Sequence, residues 1–161
     1  MIELTDKQMT DFSHRSYHAV DGLWFMKVEE KYGFDAALEL DNEVWKILPK
    51  IQARTLKSMA QTDRGLDALF ECFTTKLTLE GFTFDAQRSE GGRGFRIAIS
   101  RCPWHDAMVK SNREELSGKV NSLICSTEYG VWATEFGDEI SLQQNERICT
   151  GSDSCLLEFT I

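Results

Sequence analysis

The feature that most constrains the fold is a change in the spacing of apolar residues at Gly81. Before Gly81, apolar residues recur at steps of three and four, which is typical of helices with one buried face. After Gly81, apolar residues alternate with polar ones, which is the period of half-buried strands. The change predicts one α+β domain over residues 1–161, with a helical part at 1–80 and a sheet-plus-helix part at 81–161.

The helical part has three predicted helices. Thr5 and Gln8 are spaced like a capping box at the start of the first, and Gly33 marks its end. Pro49 lies inside the second pattern and predicts a kink there, because proline lacks a backbone donor. The predicted helices cover residues 5–31, 35–59 and 65–79.

The second part predicts an antiparallel sheet of two hairpins with an intervening helix. Phe82, Phe84 and Ala86 precede a glycine-rich turn, and alternation resumes at Phe95. Pro103 is well placed to begin a helix. A longer helix is predicted over 114–136, and closing strands over 140–149 and 155–161. We therefore expect N-terminal helices packed on a C-terminal antiparallel sheet.

Composition narrows the class of partner. Eighteen Lys and Arg against 26 Asp and Glu give a net charge of −8, a field that repels phosphate backbones and argues against nucleic acid. No apolar run approaches the ~20 residues of a membrane span, and the acidic N-terminus is unlike a signal peptide. We expect a cytoplasmic protein with no membrane association. A homodimer is an open alternative to a monomer.

Four of the five cysteines lie in the last third of the chain, at Cys102, Cys125, Cys149 and Cys155. An odd number of cysteines in such a protein argues against a disulfide framework. The last two flank a hairpin turn, so they could supply two thiolates to one zinc ion while the other two arrive from elsewhere. Strict alternation would put Cys149 on the face of Arg147, so this site requires a bulge.

Two further ligands compete for this site. His105 follows Cys102 by three residues, and Glu146 precedes Cys149 by three. Both spacings can close on a metal. Two alternatives stay open at this stage: reduced thiols with no metal, and an iron–sulfur cluster on the four cysteines, since four thiolates suffice for one.

A small-molecule pocket is indicated beside these ligands. Trp104 lies next to His105 and would supply an apolar wall. In the helix over 114–136, Cys125, Glu128 and Trp132 fall on one stripe, where Glu128 would be a buried general base. The alternatives are a solvated face for Glu128 and core packing, which we favour, for Trp132.

Several segments resemble known families. Leu23-Trp24-Phe25, 36–41 and Val44-Trp45 resemble the N-terminal pattern of small uncharacterised prokaryotic proteins. Arg101-Cys102-Pro103-Trp104-His105, Ile124-Cys125-x-x-Glu128-Tyr129 and Cys149-x-Gly151-x-x-x-Cys155-x-x-Glu158-Phe159 resemble the family named for L-2-amino-thiazoline-4-carboxylic acid hydrolase. The resemblance implies a hydrolase that acts on a cyclic C–N bond of a small molecule, with a metal and with Cys102, His105 and Glu128 as catalytic residues.

The closing cysteine hairpin also resembles that of vinyl-reductase-type small-molecule-binding domains, whose fold is similar to that of a Golgi-transport (TRAPP) subunit family. This resemblance implies a zinc ion held by Cys125, Glu146, Cys149 and Cys155. The chain differs in its shorter loop between the last two cysteines and its additional Cys102, so the fourth ligand is open between Glu146 and Cys102. It also implies an alternative function, a non-catalytic ligand sensor with structural zinc.

Overall fold

Helices fill the chain up to residue 79 and a four-stranded antiparallel sheet follows, in a computed structural model that describes residues 2–161. This confirms the predicted α+β class with two hairpins. The chain divides into two compact units, one ending at Glu43 and the other spanning Val44–Ile161. The boundary between these units lies within the helical part of the chain.

The first unit contains helix α1 (Asp6–Tyr32) and the part of α2 (Phe34–Trp45) that extends to residue 43. The predicted capping box is present, because the Thr5 hydroxyl accepts from the Gln8 N–H at 3.3 Å and the Gln8 side chain accepts from the Thr5 N–H at 2.9 Å. Gly33 ends α1 with a φ of 89°. The prediction of a buried face on α1 is wrong, since none of its residues is buried.

The second unit begins at the end of α2. The single helix predicted over 35–59 is two helices, α2 and α3 (Leu48–Ala60), separated at residues 46–47. Pro49 lies in the first turn of α3 and does not kink a continuous helix. The physical reason is that a proline lacks an N–H, which a residue in the first turn of a helix does not need, so a new helix can begin there.

Helix α4 (Leu66–Leu79) forms the centre of the core. It buries Leu69, Phe73 and Leu77 completely, with Cys72 beside them, as expected for a core thiol. It packs against α3, against the sheet and against the last helix of the chain. The hydrophobic core therefore lies between one layer of helices and one face of the sheet.

The sheet has the order β1-β2-β4-β3, and all neighbouring strands are antiparallel. Its strands are β1 (Thr83–Arg88), β2 (Gly94–Arg101), β3 (Ser141–Glu146) and β4 (Cys155–Thr160). The central pair β2 and β4 buries Phe95, Ile97, Leu157 and Phe159. Strand β3 ends earlier than predicted, because residues 148–150 form a 3₁₀ turn.

The connection between the hairpins is helical. Helix α5 (Pro103–Lys110) starts at the proline, as predicted. The segment predicted as one helix over 114–136 changes type along its length: a 3₁₀ turn (Glu114–Leu116), α6 (Ser117–Val120), a π turn (Asn121–Cys125) and α7 (Ser126–Phe136). Over residues 2–161, no helix combines the length and the apolar character that crossing a bilayer requires.

Candidate functional site

A small cavity of about 40 Å³ in the second unit is lined by four thiols. They belong to Cys102, Cys125, Cys149 and Cys155, and we call this space the thiol cavity. The other lining residues are Phe82, Ile99, Trp104, His105, Met108, Ser117, Val120, Asn121 and Tyr129. Four cysteines that are spread over more than fifty residues of sequence are thus brought to one place.

Each thiol comes from a different element of the fold. Cys102 follows β2 and precedes α5, and Cys125 closes the π turn. Cys149 is the middle residue of the 3₁₀ turn at residues 148–150. It is therefore not part of a strand, and the alternation that would have placed it on the face of Arg147 does not apply. Cys155 begins β4, opposite Ile99 of β2. The pairing of the two central strands therefore fixes one side of the cavity.

The sulfur atoms have polar neighbours as well as apolar ones. The backbone N–H of Ile148 donates to Cys155 Sγ at 3.3 Å. The backbone N–H groups of His105 and Trp104 stabilise a negative charge on Cys102, and the Ser117 hydroxyl does the same for Cys149. Such N–H and O–H groups around sulfur favour the thiolate form.

Burial outweighs these contacts and raises the pKa of all four thiols. The pKa of Cys102 rises to about 12, mainly because burial disfavours the charged form. Burial also raises the pKa values of Cys125, Cys149 and Cys155, and negative charge on neighbouring groups raises the first two further. At neutral pH the thiols are therefore protonated, and a protonated thiol is a poor nucleophile. Only a cation in the cavity would make thiolates stable.

One residue of the cavity lining has a buried polar atom with no hydrogen-bond partner within residues 2–161. Asn121 is 3% exposed, and among the described residues its Oδ1 has no hydrogen-bond donor. A buried carbonyl oxygen without a donor costs roughly 1–3 kcal/mol, unless water or a ligand satisfies it. The cavity is large enough for a few water molecules or an ion, since one water needs about 10–15 Å³.

The side chains as they stand do not form a closed metal site. Among residues 2–161, no group of three or more His, Cys, Asp or Glu side chains is arranged so that it could hold a metal ion. The donor types suit zinc, which takes thiolate and imidazole, but the thiols would have to turn toward a common centre. A change of one χ1 rotamer moves a cysteine sulfur by about 3 Å.

Glu146 is placed away from the thiol cavity. It is exposed at the end of β3, where Ser154 donates to it at 3.3 Å, and it does not line the cavity. Cys102 does line it. Of the two candidates for the fourth ligand, the structure brings only Cys102 to the other three thiols.

Glu128 and Trp132 also lie outside the lining. Trp132 is fully buried in the core, where its ring packs against Phe73 and Phe136. Trp104 differs from it, since it lines the cavity and makes an edge contact with Trp45 at 5.8 Å. The helical stripe that was expected to line a pocket thus contributes Cys125 alone.

Glu128 belongs to a buried ionic cluster. Lys76 is 2% exposed, donates to Glu128 and lies 3.0 Å from the Glu80 carboxylate. The Lys76 ammonium also lies over the rings of Phe82 and Tyr129, two residues of the cavity lining. We call Lys76, Glu80 and Glu128 the ionic cluster. It holds two carboxylates and one ammonium, a net charge of −1 in a buried position.

The pKa values in the ionic cluster follow from that charge. Burial disfavours the ammonium, but the carboxylates of Glu128 and Glu80 outweigh it and raise the pKa of Lys76. Burial raises the pKa of Glu128, the charge and hydrogen bond of Lys76 oppose that rise, and the negative charge of Glu80 adds to it. In the structure, Glu128 thus accepts a hydrogen bond from Lys76 and does not line the thiol cavity.

Sequence reasoning missed three polar residues of the lining, Ser117, Asn121 and Tyr129. With Cys125 they fall at successive steps of four. In a regular α-helix such a series would drift by about 120° over its length. The π turn at 121–125 contains more residues per turn, which reduces the drift and keeps the series on one face. No signal in the sequence identifies this π turn.

The fold and the cavity define a class of protein: a small α+β protein in which an antiparallel sheet and a helical segment enclose four thiols. The sequence matches the family described as "Family of unknown function (DUF6125)" over residues 4–148. The chain therefore belongs to that family. No curated protein matches the chain.

Proposed function

We propose that the thiol cavity binds one zinc ion through Cys102, Cys125, Cys149 and Cys155. The observation that carries the proposal is the convergence of four thiols from four elements on one cavity of about 40 Å³. Ordinary core packing does not require this, because a buried thiol serves as a small hydrophobe anywhere in a core, as Cys72 does.

The size of the cavity favours an ion over an organic ligand. Pockets for small molecules measure roughly 300–1,000 Å³, and this cavity is about 40 Å³. The proposed role is therefore structural: the ion links the end of β2, the π turn, the 3₁₀ turn and β4. Zinc would displace the protons of the four thiols. Because the pKa values of these thiols are raised, removal of their protons costs free energy and lowers the zinc affinity.

Two experiments test the zinc proposal. The full-length protein, purified anaerobically, should contain one zinc per chain by elemental analysis, and Co²⁺ substitution should give thiolate-to-cobalt absorption. Single Ser replacements at the four cavity cysteines should abolish both signals. Cys72→Ser is the control, because Cys72 is a buried core thiol that does not line the cavity, and it should retain the metal. Metal-free protein with unchanged thermal stability would refute the proposal.

The same experiment decides between zinc and an iron–sulfur cluster. Four thiolates can hold either. A brown protein with iron and inorganic sulfide would assign the cavity to a cluster, whereas a colourless protein with zinc supports our proposal.

A hydrolase is the competing proposal, and His105 supports it, since this imidazole lines the cavity beside Trp104. A hydrolase would require the cavity to open for a cyclic substrate. Glu128 would also have to lose its hydrogen bond from Lys76 and contact a water molecule instead. The test is turnover of the thiazoline acid by the metal-loaded protein. Activity that falls in both His105→Ala and Glu128→Gln would favour the enzyme, and no turnover would leave the structural zinc site.

A further inference from the structure

Helix α1 carries a row of exposed residues, apolar except for the central one, whose spacing along the chain is symmetric about that central residue. Met9, Phe12, Ser16, Val20 and Leu23 follow one another at steps of three, four, four and three. On an α-helix these steps define one face. We call this row the α1 stripe. Its centre is Ser16, a small residue, and large apolar residues lie on both sides of it.

The α1 stripe is open to solvent. Phe12 is 71% exposed, Val20 68%, Leu23 58% and Met9 48%, and Ser16 is exposed as well. Scattered apolar residues on a surface are ordinary, but a contiguous row about 21 Å long marks an interaction surface.

We propose that the α1 stripe is a homodimer interface in which two copies of α1 pack antiparallel around a two-fold axis at Ser16. A two-fold interface must be complementary to itself, and the symmetric spacing of the stripe meets this condition. In this register Met9 lies opposite Leu23 of the second copy and Phe12 opposite its Val20. The two Ser16 residues meet at the crossing, where small side chains let the helices approach closely.

The charges of α1 allow this pairing. The helix has five acidic and four basic residues, in a chain whose net charge is −8. Two nearly neutral helices meet with little repulsion, whereas the rest of the surface repels a second copy. The antiparallel arrangement also places each helix C-terminus near the N-terminus of the other copy, which favours the helix dipoles.

The contact is small. Four large apolar side chains on each copy form its centre, so it belongs at the low end of biological interfaces, for which about 1,000 Å² is the lower limit. A reversible dimer is therefore expected.

Sedimentation velocity of the full-length protein over a wide concentration range tests the interface. Val20→Glu places two charges in the interface and should raise the dimer dissociation constant about 100-fold. Thr10→Glu introduces the same charge on the same helix away from the stripe, and it should leave the constant unchanged. A wild-type monomer at all concentrations, or equal effects of the two variants, would overturn the proposal.

Cysteine cross-linking tests the register independently. At the two-fold axis Ser16 lies next to its own copy, whereas Met9 lies about 21 Å from its copy in an antiparallel pair. Under mild oxidation Ser16→Cys should form a disulfide-linked dimer, and Met9→Cys should not. The wild type, with its five natural cysteines, is the background. Equal cross-linking of both variants would mean parallel helices, and cross-linking of neither would remove the contact, so either result overturns the inference.

Discussion

Lys76→Met should destabilise the protein far more than the loss of a typical lysine. Lys76 and Glu128 are 2% and 4% exposed, and Lys76 is the shared cation for two carboxylates. Removal of one partner from a buried ion pair costs about 3–5 kcal/mol, because the other charge is left without compensation. Here two carboxylates are left without a cation, so we expect the free energy of unfolding to fall by an amount in the upper half of that range.

Replacement of the carboxylate partner of Lys76 should lower the free energy of unfolding much less. Glu128→Gln removes one of two carboxylates and leaves Lys76 paired with Glu80 at 3.0 Å, so its cost is about that of one hydrogen bond, about 1 kcal/mol. Lys7→Met is the matched control, because Lys7 is 81% exposed and pairs with Asp11 on the surface. Exposed pairs contribute at most ~1 kcal/mol. Urea unfolding at pH 7 measures all three variants.

The pH dependence gives a second signature of the same cluster. Burial raises the pKa of Glu128 in the folded state, and removal of Lys76 takes away the charge that opposes this rise. Glu128 then binds its proton more strongly in the folded variant than in the unfolded chain, so its contribution to stability is most favourable at low pH and falls as pH rises above about 4.5. The deficit of Lys76→Met should therefore be smaller at pH 5 than at pH 7. A deficit below about 1 kcal/mol at pH 7, or one that does not change with pH, would refute the reasoning.

Three further predictions concern the helices and the sheet. Partial burial of Asp21, which is neither fully buried nor exposed, raises the pKa of its carboxyl group to about 6, and this disfavours the folded state as pH rises from about 4 to 6. Asp21→Asn should therefore stabilise the protein at pH 7 by about 1–2 kcal/mol and have no effect near pH 4, by thermal unfolding. Gly94→Ala should cost about 1–3 kcal/mol, because its Cβ would lie 2.7 Å from a carbonyl oxygen of β4, whereas Gly22→Ala in open space within α1 should stabilise by up to ~1 kcal/mol. Thr5→Ala removes the α1 cap, so we expect a loss of about 1 kcal/mol in urea titrations.

Local patterns were sufficient to predict most of the elements. The capping pair at Thr5, the period of α4 and the alternation in β1 and β2 each depend on residues close in sequence, and the structure has all three. The effect of Pro49 could not be predicted from the local pattern, because a proline inside a helical pattern is compatible both with a kink and with the first turn of a new helix. The apolar face of α1 was misjudged, since periodicity says that a face is apolar but not what covers it.

The candidate site was predictable only in part. The hairpin brings Cys149 and Cys155 to one end of the sheet, as their spacing around the turn indicated. A register irregularity between Gln144 and Glu146 and a 3₁₀ turn at residues 148–150 both interrupt the strand alternation before Cys149. The choice between Glu146 and Cys102 depended on which residue faces the cavity, and that follows from where β3 ends. Strand ends are set by tertiary contacts that a local pattern does not contain.

Along the chain, the π turn contributes residues to the thiol cavity and is followed directly by the helix that contains Glu128 of the ionic cluster. It places Cys125 and Tyr129 on the cavity, while Glu128, between them in sequence, points to Lys76. The ammonium of the ionic cluster lies over the rings of Phe82 and Tyr129, which also line the cavity. Four thiolates and one Zn²⁺ carry a net charge of −2, so the formal charge of −1 on the ionic cluster would disfavour the loaded site. If zinc binds, Glu128→Gln should therefore raise the zinc affinity, although Glu128 is not a ligand.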